Sequence, residues 1–178
     1  CHHHPTGTLV MATGDLEWAQ ASREILGQLG QPVEVLSAAQ LSQDYPHLHS
    51  QGLDLSYRLT TGGALMAQQI VGDLAQYLQF SGVTIAPGMA VKEVDPARGA
   101  VVLEDGTRLG ADLVVVAAGP WVGRPMPSLV SRVTPSRQVV LYLQPPDDLA
   151  PAWATSPMIL DIGSTGGIYV VPPRGGTT

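Results

Sequence analysis

The sequence predicts an α+β fold with a mixed sheet. Two long helical segments and a short one come first, and segments of strand character follow them, including a hairpin turn. Helices and strands that are segregated along the chain are typical of α+β architecture. The chain shows no internal repeat and no low-complexity segment, either of which would have indicated another architecture.

The first helix is predicted over residues 16–29, because apolar residues recur there at helical spacing. Asp15 is placed to cap its N-terminus, and Gly30 to end it, since glycine readily adopts the left-handed conformation found after many helices. The apolar positions expected on its core-facing side are Leu16, Ala19, Ile25 and Leu29.

Two further helices are predicted before the strands. Ser37 opens a short helix over Ala38–Asp44, which Pro46 ends. A second long helix is predicted over Ala64–Phe80, with Gly82 after it. Its apolar stripe consists of Leu65, Ile70, Leu74 and Leu78.

Strand character begins after this helix, where the apolar period changes. The segment Glu104–Thr107 contains Asp-Gly, a dipeptide typical of hairpin turns. Leu113–Ala118 is apolar on both faces, as a buried parallel strand should be, and residues 145–157 are predicted as a loop. The predicted strands are Val83–Ala86, Ala90–Val94, Val101–Glu104, Leu113–Ala118, Val133–Leu143 and Tyr169–Val171.

Composition argues against two classes of partner. The 178 residues include only 13% charged residues and carry a formal net charge of −6, so neither a nucleic acid nor an anionic membrane surface is an expected partner. No apolar run approaches the length that spans a membrane. The single cysteine excludes an internal disulfide and fits a reducing compartment, so a cytoplasmic location is expected.

Several conspicuous groups are interpreted without a function. His2–His4 is expected to be a disordered end or a tag remnant, and His47 and His49 to be packing or solvent groups. Cys1 has no basic neighbour that would activate it as a nucleophile. The glycine-rich run at 163–167 is predicted as a turn between two strands. Hydrolase and nucleoside-triphosphatase signatures are absent from the sequence, and neither a metal site nor a catalytic residue is predicted.

The stretch from Leu113 to Trp121 is the most informative one. An apolar strand that ends in Ala-Ala-Gly lets the backbone approach a bulky ligand at the carboxyl edge of a sheet. A buried strand followed by a tight turn explains the same residues without any ligand. Taken alone, these residues leave both interpretations open.

In its wider context this stretch resembles a known family. Gly82…Val91…Asp105-Gly106…Ala111-Asp112…Val116-Ala-Ala-Gly-Pro-Trp121 looks like the middle of the flavin-dependent amine oxidases of the D-amino acid oxidase superfamily. The block Thr-Pro-Ser-Arg-Gln-Val-Val at 134–140 and Gly-Ile-Tyr at 167–169 are similar to the monomeric sarcosine oxidase and N-methyl-amino-acid oxidase branch. The resemblance covers nearly the whole chain.

The resemblance implies a domain organisation. Residues 1–81 would form the first part of a substrate domain, residues 82–124 a segment of the FAD-binding domain, and residues 125–178 the substrate-domain sheet. The α+β fold would then comprise a mixed substrate-domain sheet with two helices, plus one strand of a Rossmann-like FAD-binding domain.

The resemblance also implies which residues contact FAD. The backbone of Val91 matches the position at the adenine end of the cofactor. Ala118 and Gly119 match the small residues against its diphosphate and ribose, and Trp121 lies just beyond them.

Two residues match the substrate pocket by the same resemblance. Tyr169 or its neighbour Val170 falls where the pocket presents aromatic side chains, and Val170 stands where some sarcosine oxidases have a second tyrosine. Arg137, in contrast, is expected to fix the long strand through a salt bridge or a hydrogen bond.

The implied reaction is the oxidation of an amino acid or N-methylated amine to an imine. Hydride would pass to the flavin, and oxygen would reoxidise it to give hydrogen peroxide. Two alternatives remain: a non-catalytic subunit that completes a flavoenzyme in a complex, and a flavin dehydrogenase that uses another electron acceptor.

The resemblance further implies that the chain is an internal fragment. It contains no Gly-x-Gly-x-x-Gly unit for the FAD pyrophosphate, and the family's C-terminal active-site region does not follow. We therefore expect this polypeptide alone not to hold FAD and to be inactive, and its truncated apolar faces to favour association.

Overall fold

The computed structural model describes residues 2–163 and 166–173. The chain divides into two compact units, one formed by Cys1–Leu74 with Tyr142–Thr178 and the other by Ala75–Leu141. Up to residue 80 the elements are β1 (His3–His4), β2 (Thr8–Ala12), α1 (Glu17–Gln28), β3 (Val33–Val35), α2 (Ala38–Asp44), β4 (Leu55–Leu59), β5 (Ala64–Leu65) and α3 (Ala67–Phe80). They are followed by β6 (Val91–Asp95), β7 (Ala100–Leu103), β8 (Arg108–Gly110), two 3-10 turns (Gly119–Trp121 and Pro127–Leu129), α4 (Ala150–Thr155), β9 (Met158–Gly163) and β10 (Gly166–Val170).

A five-stranded mixed sheet in the order β10-β9-β2-β4-β3 forms the centre of the first unit. The middle strand β2 is buried along its whole length. It runs parallel to β9 and antiparallel to β4, so its backbone groups are paired on both edges. The predicted α+β class with a mixed sheet is therefore confirmed, although β2, β3, β4 and β9 were not among the predicted strands.

Apolar side chains cover both faces of this sheet, as the alternation of a strand requires. One face packs against α1, where the Tyr57 hydroxyl donates to the Ala19 carbonyl oxygen at 3.3 Å. The cluster on this face consists of Val10, Ala12, Ala19 and Tyr57. The cluster on the opposite face consists of Leu9, Met11, Leu36, Leu41 and Ile159.

The helix ends confirm most of the predicted end signals. Ser37 and Gln40 form a capping box at α2, whose bounds agree with the prediction. Gly30, with a φ of 69°, follows α1, and the Gln31 N–H donates to the Leu26 carbonyl oxygen at 2.9 Å, the bond typical of a Schellman motif. The prediction that Asp15 is the N-cap of α1 is wrong, because Leu16 occupies that position without a side-chain cap. The carboxylate of Asp15 instead accepts from the Glu17 N–H at 3.0 Å, just before the helix.

The apolar stripes of the two long helices are not core. Ile25 and Leu29 are 55% and 69% exposed, and only Ala19 of α1 is buried. In α3, which the structure describes in full, no residue is buried. The expectation that these stripes face the core holds only for Leu16 and Ala19, which pack against the cluster under α1. It is wrong for Ile25 and Leu29 and for the stripe of α3.

The N-terminal histidines are part of the fold. His3 and His4 form β1, which pairs antiparallel with Ala64 and Leu65 in β5. The expectation of a disordered end is therefore wrong. This pairing also moves the start of α3 to Ala67, since residues 64 and 65 satisfy their backbone groups in a ladder instead of a helix.

A three-stranded antiparallel sheet, β6-β7-β8, belongs to the second unit. The predicted Asp-Gly hairpin joins β7 to β8, with Gly106 at a φ of 86°. The carboxylate of Asp105 accepts from the Thr107 N–H at 2.8 Å and stabilises the turn. The strands predicted at 90–94 and 101–104 are confirmed within one residue at each end.

Three predicted strands are absent from the described residues: Val83–Ala86, Leu113–Ala118 and Val133–Leu143 are irregular. Leu113 and Val115 are 78% and 77% exposed, so the expected buried parallel strand is wrong. A strand needs a hydrogen-bonded neighbour, and no described strand pairs with these segments.

The last part of the chain differs from the prediction in one further respect. The predicted loop at 145–157 contains α4, in which Pro151 occupies the first turn, where proline costs no hydrogen bond. β9 and β10 pair antiparallel with Gly163 opposite Gly166, as expected for strands joined by a turn. Ser164 and Thr165 of that turn lie outside the described residues, as does Cys1. None of the described helices is long and apolar enough to cross a membrane.

Candidate functional site

Val91 opens β6 and is 38% exposed. The pairing of β6 with β7 shifts register between Val91 and Glu93, so that Lys92 is the extra residue of a bulge. A bulge bends a strand and interrupts its ladder, and such irregularities are frequent beside binding sites. The local geometry leaves this end of β6 accessible to a ligand.

Ala118, Gly119 and Trp121 form a single turn. The Trp121 N–H donates to the Ala118 carbonyl oxygen at 3.0 Å, and Gly119 has a φ of 50°, which favours glycine. Apart from Gly119 itself and its two chain neighbours, no described residue has an atom within 4 Å of the position that a Cβ on Gly119 would occupy. The indole of Trp121 is 66% exposed. One side of this turn is thus open to a large group that approaches the backbone.

Both segments belong to the second unit, and a hydrogen bond connects them. The Val94 N–H in β6 donates to the carbonyl oxygen of Pro125 at 3.1 Å, four residues after Trp121. Pro125 is itself buried. The segment of the exposed turn and the bulged strand are therefore linked within the second unit.

Tyr169 and Val170 lie on β10, at one edge of the five-stranded sheet. Consecutive residues of a strand point to opposite faces, and the contacts here agree. Val170 packs against the cluster that contains Leu9 and Ile159, whereas Tyr169 pairs with Leu160, which packs on the α1 side. The sequence places both residues on one strand, but the structure does not bring their side chains to one pocket.

A groove of about 290 Å³ lies between α1 and the sheet on the Tyr169 side. Trp18 and Leu26 of α1 line it opposite Tyr57 and Leu160 of the sheet. Burial raises the pKa of the Tyr57 hydroxyl, and the nearby Arg23 opposes that shift. Because its lining is largely apolar, the groove offers packing contacts and little chemistry.

Sequence reasoning missed a cluster of charged groups around Arg58. The guanidinium donates from Nε to Glu34 at 2.8 Å and from a terminal nitrogen to Asp44 at 3.1 Å. Hydrogen bonds to Tyr45 and Glu34 raise the pKa of Arg58. With Thr6 and Tyr45 it lines a cavity of about 230 Å³. Arg58 lies on β4, Glu34 on β3, and Asp44 and Tyr45 at the end of α2, so no spacing in the sequence signals the cluster.

Arg137 and His47 were both expected to have structural roles. Arg137 is exposed in an irregular segment and forms no ion pair within the described ranges, so its predicted role in fixing a long strand is wrong. His47 packs against Trp153, with ring centroids 4.9 Å apart, as expected of a packing group. Among residues 2–163 and 166–173, no cluster of His, Cys, Asp and Glu side chains could hold a metal ion.

A protein-family model matches the whole chain. A family model described as FAD dependent oxidoreductase (DAO) matches residues 1–178. Among curated proteins, the peroxisomal sarcosine oxidase of Mus musculus is 26% identical over 122 residues, which cover 68% of this chain and 31% of that protein. The chain thus spans about a third of the length of this relative.

Solved structures show the same fold at low sequence identity. Glycine oxidase from Bacillus cereus ATCC 14579 has a TM-score of 0.63 and 15% identity, covering 98% of this chain and 47% of that one. L-proline dehydrogenase from P. horikoshii has a TM-score of 0.64 and 17% identity, covering 99% and 52%. NikD, an amino acid oxidase of nikkomycin biosynthesis, has a TM-score of 0.58 and 24% identity, covering 71% and 34%.

Proposed function

This chain belongs to the family of FAD dependent oxidoreductases, and from that membership we propose that the protein it forms part of oxidises an amino acid or an N-methylated amine to an imine. FAD, when bound, would supply the acceptor for the hydride removed from the substrate and its two electrons, and oxygen would be the final electron acceptor, with hydrogen peroxide as its product. The observation that carries the choice of substrate class is the similarity to a sarcosine oxidase over 122 residues.

The described residues fit part of an FAD site. The open side of the Gly119 turn leaves space for a bulky group against the backbone, and the exposed Trp121 indole borders it. Ala118 and Gly119 would hold the diphosphate and ribose region, and Val91 the adenine end. FAD, when bound, supplies the two-electron acceptor for the reaction. The chain's own contribution is to bind and orient the cofactor.

For the substrate we favour the sheet face that carries Val170 over the face that carries Tyr169. Val170 is the position at which some sarcosine oxidases have a second tyrosine. On the same face, Ile168 is 63% exposed, so the edge of the sheet is open next to Val170. Tyr169, on the opposite face, would then influence the site only through the strand it belongs to.

The proposal is tested with the intact protein that contains this chain. After purification, its absorbance spectrum reports bound flavin. Anaerobic addition of sarcosine, glycine or proline should bleach that absorbance, and readmission of oxygen should yield hydrogen peroxide in a peroxidase-coupled assay. Absence of bound flavin, or a flavin that none of these amines reduces, would refute the proposal. Reduction without peroxide formation would instead indicate the dehydrogenase alternative.

A pair of glycine variants tests the FAD residues. Gly119→Val is expected to weaken FAD binding by about tenfold or more, because an overlapping side chain typically costs ~1–3 kcal/mol. Gly106→Val is the matched control, since Gly106 also has a positive φ and an open Cβ position but lies in the β7–β8 turn. Titration of the apoprotein with FAD measures both. Equal losses of affinity in the two variants would exclude Gly119 from the site.

A further inference from the structure

A single histidine connects α4 to the loop that follows α2. Nε2 of His47 lies 2.6 Å from Oγ of Ser156, the residue directly after α4, although 109 positions separate the two in the chain. Ser156 is 1% exposed. The imidazole also meets the ring of Trp153 edge to face at 4.9 Å. His47 therefore touches α4 at two points.

The other ring nitrogen of His47 is buried without a partner. Nδ1 has no hydrogen-bonding group within reach among the described residues. A neutral imidazole tolerates this, because Nε2–H can donate to Ser156 and leave only a bare lone pair at Nδ1. A protonated imidazole carries a hydrogen on both nitrogens, so a charged donor would be buried without an acceptor.

The side chains in contact with His47, those of Tyr45, Trp153 and Ser156, are uncharged. α4 carries no ionisable side chain. From its own loop, Tyr45 faces the imidazole with ring centroids 6.4 Å apart. Tyr45 in turn contacts Arg58, whose charge is already paired with Glu34 and Asp44. No carboxylate of residues 2–163 or 166–173 forms an ion pair with His47.

We propose that His47 is a pH-operated latch that holds α4 on the sheet while the imidazole is neutral and releases α4 when it is protonated. Trp153 of α4 packs against the same apolar cluster as Val170. Release of α4 therefore uncovers the sheet face around Val170. The identification of this face as the substrate-binding face rests on the proposed function. The existence of the latch does not depend on it.

The direction of the effect follows from the protonation equilibrium. Burial lowers the pKa of His47 below its ordinary value of 6.5. The latched form thus binds a proton less readily than the released form. The latched form has its full stability relative to the released form when the pH is above the ordinary pKa, and it loses stability as the pH falls below that value.

Hydrogen–deuterium exchange of the intact protein tests the latch, with rates corrected for the intrinsic pH dependence of amide exchange. Between about pH 7.5 and about pH 5.5, protection of residues 150–157 should fall by up to about tenfold, because only the released form binds the proton at an ordinary histidine pKa. In His47→Gln, which cannot titrate, the same protection should change by less than about twofold. α2 serves as the internal control and should keep its protection.

Two outcomes would overturn the latch. One is protection of residues 150–157 that is independent of pH in the unmodified protein; the other is an equal fall in His47→Gln. If that variant does not fold, an NMR titration of His47 in the unmodified protein decides the question. A pKa below 6.5 is expected, and a value at or above 6.5 contradicts the proposal. These measurements involve neither flavin nor amine, so they succeed or fail independently of the proposed reaction.

Discussion

Gly7→Ala should destabilise the central sheet more than an ordinary glycine substitution. Gly7 precedes β2 with a φ of 73°, and its N–H donates to the Gly62 carbonyl oxygen at 2.8 Å. Its own carbonyl accepts from the Met158 N–H at 3.1 Å. A Cβ at this position would lie 2.7 Å from the carbonyl oxygen of Leu59. The substitution therefore strains the point at which β2 meets both of its neighbours.

The expected loss has two parts. Placing a non-glycine residue in the left-handed region costs ~1–2 kcal/mol. The contact with a backbone oxygen cannot be relieved by a side-chain rotation, and forced overpacking of this kind costs ~1–3 kcal/mol. The free energy of unfolding should fall by about 2–5 kcal/mol in total, as the sum of these two ranges.

Gly52→Ala is the matched control. Gly52 has a φ of 76°, and in the described part of the chain nothing lies within 4 Å of its Cβ position. Only the conformational cost of ~1–2 kcal/mol applies there. Equilibrium urea denaturation measures both variants and gives the cost of the contact as their difference. Equal losses in the two variants would refute the reasoning, because they would mean that the contact with Leu59 costs nothing.

Two further predictions concern α2 and β10. Ser37→Ala removes the hydroxyl that accepts from the Gln40 N–H at 3.3 Å and should lower the free energy of unfolding by ~1 kcal/mol. Thermal unfolding followed by circular dichroism measures this loss of stability. An unchanged melting temperature would contradict the role of Ser37 as a cap. Val170→Ala should lower the free energy of unfolding by ~1–2 kcal/mol, because it removes two methyl groups from a packed cluster. Tyr169→Phe changes a residue that is 59% exposed, so it should change the free energy of unfolding by less than ~0.5 kcal/mol. Chemical denaturation compares the two, and equal losses would contradict their placement on opposite faces.

Local signals in the sequence predicted local structure well. Ser37 marked the start of α2, Gly30 marked the end of α1, and Asp105-Gly106 marked a hairpin turn, and the structure confirms all three. Each of these depends on hydrogen bonds between residues at most five positions apart. Their physics is therefore contained in a short window of sequence.

Features that depend on distant partners could not be predicted in this way. Leu113–Ala118 has the composition of a buried strand, yet the described residues provide no neighbouring strand for it. β2 was not predicted, although all five of its residues are buried, because its partners β4 and β9 lie far along the chain. At the candidate site, strand periodicity already separates Tyr169 from Val170, but the contact between His47 and Ser156 spans 109 positions and has no local signature.

The register of the central sheet has a consequence for how the protein is made. Thr8 pairs with Met158, so one edge of β2 can find its parallel partner only after the whole second unit has been translated. At a synthesis rate of about 5–20 residues per second, that delay is roughly 8–30 s. During this time a largely apolar strand has an unpaired edge, which is a template for aggregation. The nascent chain should therefore depend on chaperones that shield β2 until β9 emerges from the ribosome.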